Sequence, residues 1–199
     1  MVALGPEMET TALSLSSVPV TRVERTFGFI DISGFTTFTD QQGDAASVLR
    51  LAEFRVVVRE IASHHGVRID KWLGDGAMFV CVESGPLLAA VLDIEVRLAE
   101  NGFPLPLRAG IAGGMVILFE GDDYIGTPVN LASRLCNEAA PGQTLVTEEL
   151  ADYAPAEAHI TPMGPIEVRG LAEPVQIVCL RGCPPSLDPT LAAGVLAFP

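Results

Sequence analysis

Positive charge is scarce in this chain: its 199 residues carry 12 Lys+Arg against 25 Asp+Glu, a net charge of −13. Nucleic acid and anionic membrane surfaces both need clustered cations, so neither is expected as a partner. An anionic small molecule stays admissible if metal ions and a few placed cations offset the repulsion. No apolar run reaches the roughly 18 residues of a membrane span. The N-terminal stretch "MVALGPEMETTALSLSSVPVTRVER" lacks a basic segment followed by a compact apolar block, so it makes a poor export signal. A soluble, cytoplasmic protein is the expectation. No CxxC pair occurs among the 4 cysteines, which favours buried inert thiols over zinc or disulfides. Cys81 and Cys179 fall in apolar strand-like runs, Cys136 on a helix, and Cys183 just outside a strand. What is present is a globular composition, 49% hydrophobic and 19% charged, in a length that suits one domain with tails.

Residues 1–22, rich in Ser, Thr, Val and Ala without a clear period, read as a flexible arm, and residues 182–199 as a Pro-rich tail. Between them, over 23–181, "TFGFIDI" (26–32) reads as a central strand and "SGFTTFTDQQGD" as a short helix or loop. Apolar residues at helical spacing predict a helix over 44–66, with Asp44 as N-cap and a glycine at its end. "VRIDKWL" and "AMFVCV" form a hairpin, 85–102 a second helix, 107–118 a strand and "EGDDYIG" a turn. Residues 127–139 form a short helix, with Thr127 suited to the N-cap and Pro128 to the first helical position. "QTLVT", 160–168 and "PVQIVCLR" supply the remaining strands. This order matches a ferredoxin-like βαββαβ core with additional strands, an α+β fold whose antiparallel sheet has helices packed on one face.

Two acids stand in unusual places. Asp31 ends the apolar run "FGFI", and Asp75 sits between Gly74 and Gly76, a spacing that suits a tight hairpin turn. Alone, Asp31 fits as a helix cap and Asp75 as a turn residue. In a βαββ unit, however, the first strand's end and the next hairpin can lie side by side. Paired carboxylates there call for a hard divalent cation. Lys71 lies four residues before Asp75, roughly 13 Å along a strand on the same face. The two heads cannot grip the same atoms, so they touch the two ends of an extended ligand or belong to separate sites. Asn130 and Arg134, at i and i+4 on the short helix, form a fork for sugar and phosphate oxygens or simply a polar outer face. Asp123 fits turn chemistry.

"FIDISGFT", "KWLGDG" and "GDDYIGTPVNLASRL", in that order, resemble the catalytic domain of the class III nucleotidyl cyclases from about residue 24 to residue 181. The resemblance implies that Asp31 and Asp75, with the Ile32 backbone carbonyl, hold two divalent cations, Mg²⁺ or Mn²⁺. It implies that Lys71 and Asp123 select the purine and that Asn130 and Arg134 stabilise the transition state. Guanylyl cyclases typically select with Glu and Cys or a similar residue, so Lys71 with Asp123 points to adenine, and ATP is the implied substrate. The family works as head-to-tail dimers, metal aspartates from one protomer and the other four residues from its partner. Lys71 and Asp75 of one chain would then serve two different sites. The short "GGMVILFEG" segment implies a modest dimerisation arm, and Arg169 near "VRG" is a match to the family's triphosphate-binding cation. A non-catalytic, nucleotide-binding regulatory module is the rival reading, opposed by the complete set of six residues. A diguanylate cyclase lacks support because the hairpin reads "LGDG" with no GGDEF-like turn.

Overall fold

A computed structural model describes residues 21–119, 123–168, 171 and 173–182. In chain order the elements are β1 (Thr21–Ile32), α1 (Phe35–Gln42), α2 (Asp44–His64), β2 (Arg68–Leu73), β3 (Gly76–Cys81), α3 (Ser84–Glu100) and β4 (Leu107–Phe119). There follow β5 (Asp123–Ile125), α4 (Thr127–Glu138), β6 (Gln143–Thr147), a 3₁₀ turn (Glu148–Tyr153), β7 (His159–Ile166) and β8 (Val175–Arg181). They build an eight-stranded sheet in the order β2-β3-β1-β4-β6-β8-β7, with β5 paired to β4 alone. Only the β4–β6 pairing is parallel among those described. The β2-β3-β1-β4 half, crossed by α2 and α3, is the expected βαββαβ core, and β6, β8 and β7 extend it.

Side chains alternate between the two faces along β1 and β3, as a pleated strand requires. Ile30, Ile32, Ala77 and Phe79 pack with Phe54 and Val58 of α2 and with Leu87 and Val91 of α3. Phe27, Met78 and Val80 point the other way and pack with Leu131, Ala132 and Leu135 of α4. Helices were expected on one face; α2 and α3 obey that, whereas α4 covers the opposite face. The cause is local. A Cβ at Gly110 of β4 would overlap Cys136 N and Ala132 O, so the bare glycine lets the α4 backbone lie against the strand. Full burial of Phe27, Phe54 and Phe79 contributes about 2 kcal/mol or more each, which anchors β1 and β3 from both sides.

Smaller differences have similarly local reasons. Gly43 and Gly126 are the N-caps, so Asp44 and Thr127, expected as caps, are instead the first helical residues, and neither N-cap makes a side-chain hydrogen bond. "EGDDYIG" is not only a turn: Asp123–Ile125 pairs with Ile117–Phe119 as β5. Cys81 is half-buried while Cys136 and Cys179 are buried, all as free thiols; Cys183 lies outside the described residues. Burial, and then the charge of Asp31, push the Cys136 thiol up to about 12, so it stays protonated at neutral pH.

One buried acid makes a prediction. Thr144 Oγ1 donates to Glu95 Oε1 at 2.6 Å beneath α3, and burial pushes the Glu95 carboxyl up to about 7 despite that bond and the charge of Arg181. A folded-state pKa above the ordinary value stabilises the fold at low pH. That contribution is full below about 4.5 and is lost as pH rises through about 7. The loss is on the order of 3 kcal/mol. Glu95→Gln should therefore flatten the decline in melting temperature between pH 5 and 8, and should melt higher than the parent at pH 8. Parallel curves for the two proteins would contradict the assignment.

Candidate active site

The β2–β3 hairpin closes through Gly74 and Asp75, with Gly74 at φ +71°, a conformation that costs glycine nothing. Register pairs Asp31 with Gly76 on one side and with Arg108 on the other. The Ile32 N–H donates to the Asp75 carbonyl at 3.3 Å, so the end of β1 and the hairpin tip are stitched together. The two carboxylates stand close enough to influence each other: burial first, and the Asp31 charge second, hold the Asp75 carboxyl above its ordinary value. Asp31 already has one cation. Arg108 donates to Asp31 Oδ2 from Nε at 2.8 Å and from Nη2 at 2.6 Å, and that bond raises the guanidinium's own pKa. Motif reading missed Arg108. Its signal, a lone charge opening the apolar run "LRAGIAGG", acquires meaning only once the β1–β4 register sets it beside Asp31.

Lys71 and Asp123 also meet. Lys71 Nζ donates to Asp123 Oδ1 at 2.6 Å, and both side chains are about half exposed. Strand register alone would keep them apart. Lys71 is level with Met78, Phe29 and Gly110, whereas Asp123 is level with Phe119. The stretch of β4 from Gly110 to Phe119 spans about 30 Å if flat. The β4–β5 hairpin must therefore curl back over the α4 face, where Tyr124 sits edge-on to Phe27 with ring centroids 5.3 Å apart. Lys71 shares its face with its cross-strand neighbour Met78, and Asp31 shares that same face two residues beyond Phe29. Two strand spacings and two residues separate Lys71 from Asp31, about 12 Å between Cα atoms.

Asn130 and Arg134 are exposed, on the side of α4 away from buried Leu131, Ala132 and Leu135. Within one chain the structure thus joins Asp31 with Asp75 and Lys71 with Asp123, and the cation it sets on Asp31 is Arg108 rather than Arg134. Arg169 lies outside the described residues.

The acids suit a divalent cation. Both donors are hard carboxylate oxygens, their mutual repulsion is relieved by positive charge, and Arg108 already supplies some. The hairpin seats closely against β1, since a Cβ at Gly76 would stand 2.5 Å from the Ile30 carbonyl and 3.3 Å from Asp31 Oδ1. No group of three or more His, Cys, Asp or Glu that could hold a metal occurs among the described residues. Asp31 and Asp75 would therefore need the Ile32 carbonyl, water or ligand oxygens to complete a coordination shell.

Residues 21–182 match the model of the adenylate and guanylate cyclase catalytic domain, and the chain belongs to that family. Among its relatives, an uncharacterized protein of Mycobacterium tuberculosis is 37% identical over 164 residues, covering 81% of this chain and 42% of that protein. A pH-sensitive adenylate cyclase of Mycobacterium tuberculosis is 36% identical over 165 residues, covering 78% of this chain and 40% of the relative. The chain thus spans about two-fifths of the length of these two relatives. The crystal structure of the adenylyl cyclase CyaB from P. aeruginosa superposes with a TM-score of 0.73 at 26% identity, covering 83% of this chain and 97% of that one. No helix among the described residues is long and apolar enough to cross a membrane.

Proposed function

We propose that the chain is an adenylyl cyclase, converting ATP to 3′,5′-cyclic AMP and pyrophosphate at sites shared between two copies in a head-to-tail dimer. The observation that carries the substrate choice is the Lys71–Asp123 pair, a cation and an acid held 2.6 Å apart on an exposed face. Adenine presents an acceptor at N1 and a donor at its 6-amino group, which an ammonium and a carboxylate complement in that order. Guanine in the same seat sets N1–H against the ammonium and O6 against the carboxylate, a mismatch at both atoms.

Arg134 neutralises charge growing at the α-phosphate, and Asn130 orients the ribose. The 3′-hydroxyl gives up its proton to water as its oxygen bonds to the α-phosphorus; the bond to the α–β bridging oxygen breaks, and pyrophosphate departs with the displaced charge. Asp31, Asp75 and the Ile32 carbonyl would hold Mg²⁺ or Mn²⁺, which would supply acidification of the 3′-hydroxyl and charge balance for the triphosphate. Arg108, held beside Asp31 in its own chain, is the cation placed to serve phosphate oxygens, a role the family resemblance implied for Arg169. Sharing between chains is supported by the exposure of Asn130 and Arg134 and by the binding of Asp31 to Arg108 within its own chain.

Purified protein given Mn-ATP should release cyclic AMP and pyrophosphate in equal amounts, and should use Mn-GTP far more slowly. Lys71→Glu with Asp123→Cys should narrow that preference by at least about tenfold, since each mismatched polar contact is costly. An unchanged ATP preference in the double variant removes these residues from base reading. Absence of any cyclic product from the parent protein favours the non-catalytic module instead.

A further inference from the structure

The hairpin that carries Asp75 is tied to α2 by a contact that the chemistry above does not use. Arg55 and Arg59, one turn apart on α2, both set their guanidinium groups over the Trp72 ring, 5.0 and 5.1 Å from its centroid. Phe54, fully buried, meets the same ring edge-on at 6.4 Å. Trp72 lies two residues before the turn, so α2 grips the strand leading into it. Arg55 goes further: its Nη2 donates to the Gly74 carbonyl at 3.1 Å. The Arg55 Nε is buried and has no hydrogen-bond partner among the described residues. Such an N–H is costly to leave unsatisfied, so the guanidinium is held for its ring and carbonyl contacts at a local expense.

The consequence falls on Asp75. The peptide before its Cα is held through the Gly74 carbonyl by Arg55. The peptide after it is held through the Asp75 carbonyl by the Ile32 N–H. One tie comes from α2 and the other from β1, the strand of Asp31. With both flanking peptides fixed, the backbone of Asp75 has little freedom to rotate, although it sits in a two-residue turn. We infer that Arg55 is a positioning residue for Asp75, setting where its carboxylate stands relative to Asp31. The inference rests on the metal role proposed for Asp75. It is the relation of an outer-shell partner to a ligand, whose loss typically weakens metal binding by about 10- to 100-fold.

The test is a Mn²⁺ titration of the whole chain in the presence of a non-cleavable ATP analogue, reading free Mn²⁺ by its paramagnetic resonance signal. Arg55→Met keeps the stem against Trp72 and removes both donor and charge. It should weaken Mn²⁺ binding by about tenfold and raise the Mn²⁺ needed for half-maximal turnover in parallel, with kcat at saturating metal changed less. Arg55→Lys, which restores a donor and a charge, should recover most of the affinity. Arg59→Met loosens the ring without touching Gly74 and should stay within about twofold of the parent. Where the methionine chain does not fold, Arg55→Gln, neutral and too short to reach, should show the same loss. Parental affinity in the Arg55 variants, or an equal loss in Arg59→Met, overturns the inference. Asp75→Ala in the same titration separates the two levels. If it too binds Mn²⁺ as the parent does, the metal assignment has failed; if it alone loses binding, only the role of Arg55 has.

Discussion

Asp31→Ala and Asp75→Ala should each lower cyclase turnover by at least about a hundredfold, because loss of a direct ligand exceeds the 10- to 100-fold cost of losing a partner one shell out. Their effects on metal-free stability should differ, and that difference is the sharper test. Asp75 is raised by burial and by the Asp31 charge, so its ionised form is a local cost without metal. Asp75→Ala should leave the metal-free melting temperature unchanged or higher. Asp31 instead receives two bonds from Arg108, and the pair is only 31% and 25% exposed on its two sides. Asp31→Ala strands that guanidinium and should destabilise the metal-free fold by on the order of 1 kcal/mol. Both variants should lose the extra stability that Mn²⁺ with nucleotide confers on the parent. Near-parental turnover in either one refutes the metal assignment.

Asp31 was legible as an acid near the end of an apolar strand, where a charge needs a reason, and Asp75 as an acid on a turn marked by its flanking glycines. The βαββαβ order was legible for the same physical cause, helical and alternating periods that change at glycine-marked boundaries. The rest needed three dimensions. The motif resemblance paired Lys71 with Asp123, but their direct contact across 52 residues arises only because the β4–β5 hairpin curls over the sheet. Arg108 is 77 residues from Asp31, and the strand register joins them. The side taken by α4 depends on Gly110, whose missing side chain reads in sequence as one of several glycines in a strand. Arg55 lies on an amphipathic helix where a surface arginine is the ordinary expectation, and nothing local in "AEFRVVV" points to a carbonyl in the next hairpin. Neighbours brought together by long-range pairing leave no local period to read.

In the proposed head-to-tail dimer, each site takes its acids from one chain and its polar helix from another. Asp75→Ala spoils the first half and Arg134→Ala the second, the latter by about a thousandfold if the arginine stabilises phosphoryl charge as such residues do elsewhere. Each homodimer then has two defective sites and should be nearly inactive. In a head-to-tail dimer of one variant with the other, one site collects both defects. The remaining site receives an intact Asp75 from one chain and an intact Arg134 from its partner. Random exchange makes about half the dimers mixed, each with one working site of two, so turnover should return to about a quarter of the parental value. The measurement is cyclic AMP formed by equimolar mixed variants after subunit exchange, beside each variant alone. Recovery near that level is the result predicted here; activity that stays at the level of the separate variants at every mixing ratio would contradict a shared site.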